Sequence, residues 1–187
     1  MKILKNEKVG FDFDKVFVNY PPLIPDELIE WLYKIKNHKL RYRYPSKTEQ
    51  KIRILSHYPI FRHPSKKNIA SLKDIWKNNK DIYLISSRFS FLDKRTYYWT
   101  KRYGIEKFFK KMYFNFNDEQ PHIFKNKVIK KEGIKKFVDD DLDLLRYLSK
   151  ENPKVEFYWL SNKKPQKELP NSIKIVKNLE EFKNNYL

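Results

Sequence analysis

The chain has 187 residues, 41 Lys or Arg against 23 Asp or Glu for a formal charge of +18, 40% hydrophobic residues and no cysteine. This length fits one domain with a modest insertion, and the missing thiols exclude disulfides and thiolate metal sites. No apolar run approaches the roughly 20 residues of a membrane span, and the first eight residues lack a signal-peptide centre, so a cytoplasmic protein without a membrane partner is expected.

Residues 9–14 read as the first strand, in which Val9, Phe11 and Phe13 flank Asp12 and Asp14. Two carboxylates in an apolar run cost stability unless they hold a metal or strong partners. This pair is therefore the first candidate for chemistry.

The stretch 20–64 holds six of the ten prolines, with one helical pattern near 26–37 and another near 47–56. It reads as a small basic insertion leaving from the carboxyl end of the first strand, over a core of residues 1–19 and 65–187. Between Trp31 and Lys67 lie eleven Lys or Arg residues and one acid, Glu49. Such a cluster suits an anionic partner, although the charge of the whole chain also fits a lysine-rich composition alone. Arg41-Tyr42-Arg43-Tyr44, if extended, sets both arginines on one face and both tyrosines on the other. His57, Arg62 and His63 follow in a proline-bounded loop. Arg41, Arg43 and Arg62 are thus candidates for binding an anionic leaving group, and the four histidines show no metal-binding spacing.

Beyond the insertion, strands are expected at 82–86, 112–116, 136–139, 155–160 and 173–176. Helical patterns at 67–79, 90–102, 125–132 and 141–150 alternate with them. Ser90 and Asp93 fit a capping box, and Gly104 and Gly133 fit helix stops. The alternation predicts an α/β fold: a three-layer, Rossmann-like, mostly parallel sheet carrying a small helical cap after its first strand. Ligands of such sheets sit beyond the carboxyl ends of the strands. Those ends deliver Asp12 and Asp14, then Ser86, Ser87 and Arg88, then Asp139, Asp140 and Asp141, with Lys125 opening the helix before the fourth strand. Clustered carboxylate oxygens suit Mg²⁺.

In this order the motifs resemble those of the haloacid dehalogenase superfamily of phosphohydrolases. Asp12-Phe13-Asp14-Lys15-Val16 resembles its first motif, and Ile85-Ser86 its second. Lys125 ahead of Gly133-Ile134 resembles the third, and Phe137-Val138-Asp139-Asp140 the fourth. The resemblance implies a Mg²⁺-dependent phosphomonoesterase with Asp12 as nucleophile. It implies Asp14 as general acid and base, and Ser86 and Lys125 as groups on the transferring phosphoryl. It implies a metal held by Asp12, the backbone carbonyl of Asp14, and Asp139 or Asp140. Ser87 and Arg88 would join the substrate-binding set. Many members carry Gly where this chain has Lys15. That lysine implies either a different local backbone or an additional cation in the site.

The expected partner is a phosphorylated anionic small molecule or nucleotide. A phosphatase acting on nucleotides or nucleic-acid ends is an alternative, as is a catalytically silent protein binding anions or nucleic acid. The oligomeric state is not legible.

Overall fold

The computed structural model describes residues 7–20 and 40–187. The six strands are β1 (Val9–Phe11), β2 (Ile82–Phe89), β3 (Lys111–Asn115), β4 (Lys136–Asp139), β5 (Glu156–Leu160) and β6 (Ile173–Val176). They form one sheet in the order β3-β2-β1-β4-β5-β6, with every neighbour parallel. All six expected strands are present, and the chain has the expected α/β Rossmann-like architecture. The order reverses between β1 and β4, which opens a crevice beyond their carboxyl ends.

The six described helices are α1 (Lys47–Ser56), α2 (Lys66–Asn78), α3 (Asp93–Arg102), α4 (Pro121–Glu132), α5 (Leu142–Glu151) and α6 (Leu179–Tyr186). One sheet face packs Val9 and Phe11 against Leu72 and Ile75 of α2, Trp99 of α3 and Phe182 of α6. The other packs Ile85 and Phe137 against Val128 and Ile129 of α4 and Leu145 and Leu148 of α5. Covering both faces explains why these strands read as continuous apolar runs without alternation. Gly10 belongs here for a packing reason. A Cβ at this position would lie 2.7 Å from Cδ2 of Phe137 and 3.2 Å from Cδ1 of Ile85, so only glycine lets the Phe137 ring close over the middle of β1.

Several boundaries differ from expectation. β1 ends at Phe11, although the Asp12 amide still donates to the Val138 carbonyl at 2.9 Å. β2 runs on to Phe89, and its register against β3 shifts between Ser86 and Phe89. That irregularity leaves Ser87 and Arg88 outside the ladder, and such breaks re-aim side chains. The capping box at Ser90 is absent. The Ser90 amide and Oγ donate to Asp118 at 2.7 and 2.8 Å, the first turn is 3₁₀, and the α-helix begins at Asp93. α4 starts at Pro121, so Lys125 sits a full turn inside the helix instead of opening it. α6 has no counterpart among the expected helices.

The expected helix at 26–37 lies outside the described residues, whereas that at 47–56 is α1. A reciprocal Ser46–Glu49 capping box starts α1. The two ends of the stretch between Asn19 and Pro64 leave and return side by side. The Asn19 amide donates to the His63 carbonyl at 2.9 Å and the Ser65 amide to that of Phe17 at 2.8 Å.

Candidate active site

Beyond β1 the chain turns sharply: the Val16 amide donates to the Asp14 carbonyl and the Lys15 amide to that of Val18. Lys15 occupies the left-handed region at φ 55°, which costs an L-residue with a Cβ roughly 1–2 kcal/mol. Lysine therefore keeps the backbone that glycine would adopt freely, and its Nζ lies 3.4 Å from Asp140 Oδ2. The turn leaves the Asp12 and Asp14 side chains at the floor of a cavity of about 420 Å³, which Ser86, Ser87, Arg88, Lys125, Asp139 and Asp140 also line.

Lys125 reaches down from α4 between two strand ends. Its Nζ donates to Asp12 Oδ1 at 2.7 Å and to Asp139 Oδ2 at 2.6 Å, with all three residues buried. The second oxygen of Asp139 accepts the Asp141 amide at 3.0 Å. Asp141 in turn caps α5, accepting the Asp143 and Leu144 amides. Burial opposes the charge on Lys125, but Asp12 and Asp139 outweigh it and keep the ammonium well above its ordinary range. The carboxylates show the opposite balance. Burial, only partly offset by Lys125, pushes Asp12 up to about 7, with Asp139 and Asp14 adding to the rise. Asp139 is also raised by burial, and Asp140 well raised despite Lys15.

Lys125, between Asp12 and Asp139, and Lys15, beside Asp140, thus face three carboxylates whose oxygens, one from each of Asp12, Asp139 and Asp140, lie within 4.8 Å of one another. Among the described residues only Lys125 bonds the Asp12 carboxylate, through Oδ1. A hard divalent cation fits this donor set: the oxygens converge, and burial, with the neighbouring acids adding to it, disfavours their ionisation. Asp139 spends its oxygens on Lys125 and a backbone amide, whereas among the described residues Asp140 pairs with Lys15. The Asp140 backbone is itself held, its carbonyl accepting the Trp159 indole N–H at 2.9 Å.

Asp14 sits in different surroundings. The displaced Arg88 grips it with two parallel bonds, Nε to Oδ2 at 2.7 Å and Nη2 to Oδ1 at 2.6 Å. Arg62 Nη1 stands 3.7 Å away. Burial alone would raise Asp14; Arg88, then Arg62, override it and hold the carboxyl far below its usual range. Behind Arg62, its Nη2 contacts His57 Nε2 at 3.1 Å, while His57 Nδ1 meets the Arg53 carbonyl at 2.6 Å. Burial, then Arg88 and Arg62, keep this histidine neutral, well below its ordinary pKa.

The structure does not bring the three arginines expected to bind an anionic leaving group together at the cavity. Arg41 is exposed and does not line the cavity, and Arg43 pairs with Glu49 of α1. Of the two tyrosines, Tyr42 turns inward: it is buried, lines the cavity and donates its hydroxyl to Asp141 at 2.6 Å, while Tyr44 stays exposed. Its backbone exchanges two hydrogen bonds with the Gln120 side chain. Arg62 is buried behind the cavity wall, not aimed outward. Arg88 serves Asp14 and Thr96 Oγ1. Tyr42, His57 and Trp159 also line the cavity. The first two lie in the stretch whose Arg, His and Tyr groups suit an anionic leaving group; Trp159 was not expected, since its place depends on long-range packing.

A doubly covered parallel sheet with acids and a lysine gathered at its switch point defines a class of α/β proteins whose ligand crevice lies beyond the strand ends. More narrowly, the chain has a haloacid dehalogenase-like fold. No family model and no curated protein sequence matches it. Among solved structures it is similar to a superfamily hydrolase from Ehrlichia chaffeensis (TM-score 0.56, 13% identity, covering 95% of this chain and 94% of that one). It is also similar to a haloacid dehalogenase-like hydrolase from Xanthomonas campestris (TM-score 0.58, 9% identity, 92% and 91%). A third similar structure is a family enzyme from Bacteroides thetaiotaomicron in complex with magnesium and inorganic phosphate (TM-score 0.53, 14% identity, 87% and 97%).

Proposed function

We propose that this chain is a Mg²⁺-dependent phosphomonoesterase that works through an aspartyl-phosphate. The observation carrying the reading is the buried Asp12–Lys125–Asp139 cluster, with Asp140 beside it, on the floor of a cavity at the switch point. An Asp12 oxygen attacks phosphorus; as that bond forms, the ester P–O bond breaks and the leaving oxygen takes a proton from Asp14. Water then attacks phosphorus, Asp14 takes its proton, the Asp12–phosphorus bond breaks, and inorganic phosphate leaves. The Arg88 fork holds Asp14 in the ionised form that the second step uses, and Arg88 must loosen when Asp14 carries the proton. Lys125 and Ser86 meet the phosphoryl oxygens. Asp12, Asp139 and Asp140, with the Asp14 carbonyl, would hold Mg²⁺, whose charge offsets the repulsion between anionic nucleophile and anionic substrate. The similar Bacteroides enzyme in complex with magnesium and phosphate supports this reading, as does the sequence resemblance.

The test is phosphate release from an aryl phosphate with Mg²⁺ or with EDTA, beside Asp12→Asn. Release that needs the metal and drops at least about 100-fold in the variant is expected. Absence of release by folded wild-type protein across sugar phosphates, nucleotides and phosphorylated oligonucleotides would leave only a binding role.

A further inference from the structure

The cavity mouth has two unlike sides. On one, Arg146 of α5 and Lys164 after β5 line the rim. On the other, aromatic rings continue outward from the cavity across the ends of β2 and β3. Phe89 and Phe91 line the cavity, 6.4 Å apart and near parallel. Tyr44 packs edge-on to both, at 4.9 and 6.3 Å, while remaining 47% exposed. Its hydroxyl donates to Asp118 at 3.1 Å, and the same carboxylate holds Ser90. In the turn leading to Asp118, Phe116 stacks on Tyr97 of α3 with 13° between the rings, and both are about half exposed, at 48% and 49%. α3 adds four cations and a single acid, and Lys94, Lys101 and Arg102 are exposed.

Half-exposed ring faces set among exposed cations suit a chain of bases joined by phosphates: bases stack on rings of any sequence context, and cations track the backbone. A mononucleotide would be held within the 420 Å³ cavity and would leave the outer pair, Tyr97 and Phe116, with nothing to contact. Building on the phosphomonoesterase reading, we propose that the substrate is a single-stranded nucleic acid. Its terminal phosphate enters the cavity, and its following bases stack along Tyr44, Phe116 and Tyr97. The net charge of +18 complements such a strand.

The experiment measures fluorescence anisotropy of labelled ten-nucleotide single strands, DNA and RNA, carrying a 5′- or a 3′-phosphate. Wild type is compared with the double variants Tyr97→Ala/Phe116→Ala and Tyr97→Leu/Phe116→Leu in a salt series. The leucine pair keeps apolar area and loses the ring faces, and thermal melts confirm that each variant is folded. Expected is affinity that falls steeply with salt and weakens at least about tenfold in both variants. Turnover of an aryl phosphate should stay within about twofold of wild type. Equal affinity of wild type and leucine variant, or no binding of any strand, overturns the proposal. Aryl phosphate turnover without strand binding defeats this inference alone. Ring-dependent binding without phosphate release from any substrate defeats the phosphomonoesterase reading and leaves the binding face standing.

Discussion

Lys125 illustrates how one side chain holds the candidate site together. With an ammonium between them, the buried carboxylates of Asp12 and Asp139 coexist; without it, two acids face one another in a low-dielectric pocket. Removing one partner of a buried ion pair costs about 3–5 kcal/mol. Lys125→Met is therefore expected to lose roughly that much stability in metal-free urea unfolding, and at least about 100-fold in phosphate release. Stability within about 1 kcal/mol of wild type would show that the strand ends do not depend on the pair. His57 makes a pH-dependent contribution. Its folded pKa lies below the unfolded value near 6.5, so above that pH it is neutral in both states and contributes nothing. As pH falls through about 6.5, the unfolded chain binds the proton first, and stability is lost at up to about 1.4 kcal/mol per pH unit until the folded pKa is passed. Urea melts between pH 8 and 5 should show a shallower loss in His57→Gln than in wild type; parallel curves would remove His57 from the account.

The strands were legible in the sequence because their pattern is simple: short runs rich in apolar residues, the central ones covered on both faces. Acids at their ends were legible for the same reason, since Asp12 and Asp139 stand out against Phe and Val. Register was not legible. The shift that takes Ser87 and Arg88 out of the ladder between β2 and β3 sets Arg88, expected to bind substrate, against Asp14, and nothing in Ser86-Ser87-Arg88 announces it. Nor does composition say which face of Arg41-Tyr42-Arg43-Tyr44 turns inward; docking against Gln120 and Asp141 decides that. Gly10 depends on β4 in a comparable way. Gly10→Ala forces the Phe137 ring aside and is expected to cost about 1–3 kcal/mol by overpacking. Phe137→Leu in the same chain should recover part of that loss, and a strictly additive double variant would place the strain elsewhere.

At the scale of the whole chain, the stretch between Asn19 and Pro64 meets the rest of the fold at several points, among them its two ends, Arg62 at Asp14, Tyr44 at Asp118 and Tyr42 at Asp141. Its ends meet at a narrow neck of backbone bonds around Val18 and Pro64, while Tyr42 lies against the start of α4 and the cap of α5. Asp141 therefore serves both α5 and Tyr42, which ties the acidic strand end to the segment beside it. Among the described residues no helix is long and apolar enough to cross a membrane. The fold is shared with structures of 9–14% identity, so the architecture tolerates near-complete change of sequence; in this chain an acid pair, a lysine and a second acid pair lie at its switch point.

The indole of Trp159, anchored on the Asp140 carbonyl and lining the cavity, supplies the molecule with an optical signal of its own. Emission from an indole whose N–H is bonded to the backbone of the residue proposed to hold the cation shifts when the local charge changes. Titrating Mg²⁺ into the unlabelled protein should change tryptophan emission saturably. The response should vanish in Trp159→Phe and weaken in Asp140→Asn. An unchanged response in Trp159→Phe would assign the signal to another indole. Occupancy of the site would then be readable by light, with no substrate in the cuvette.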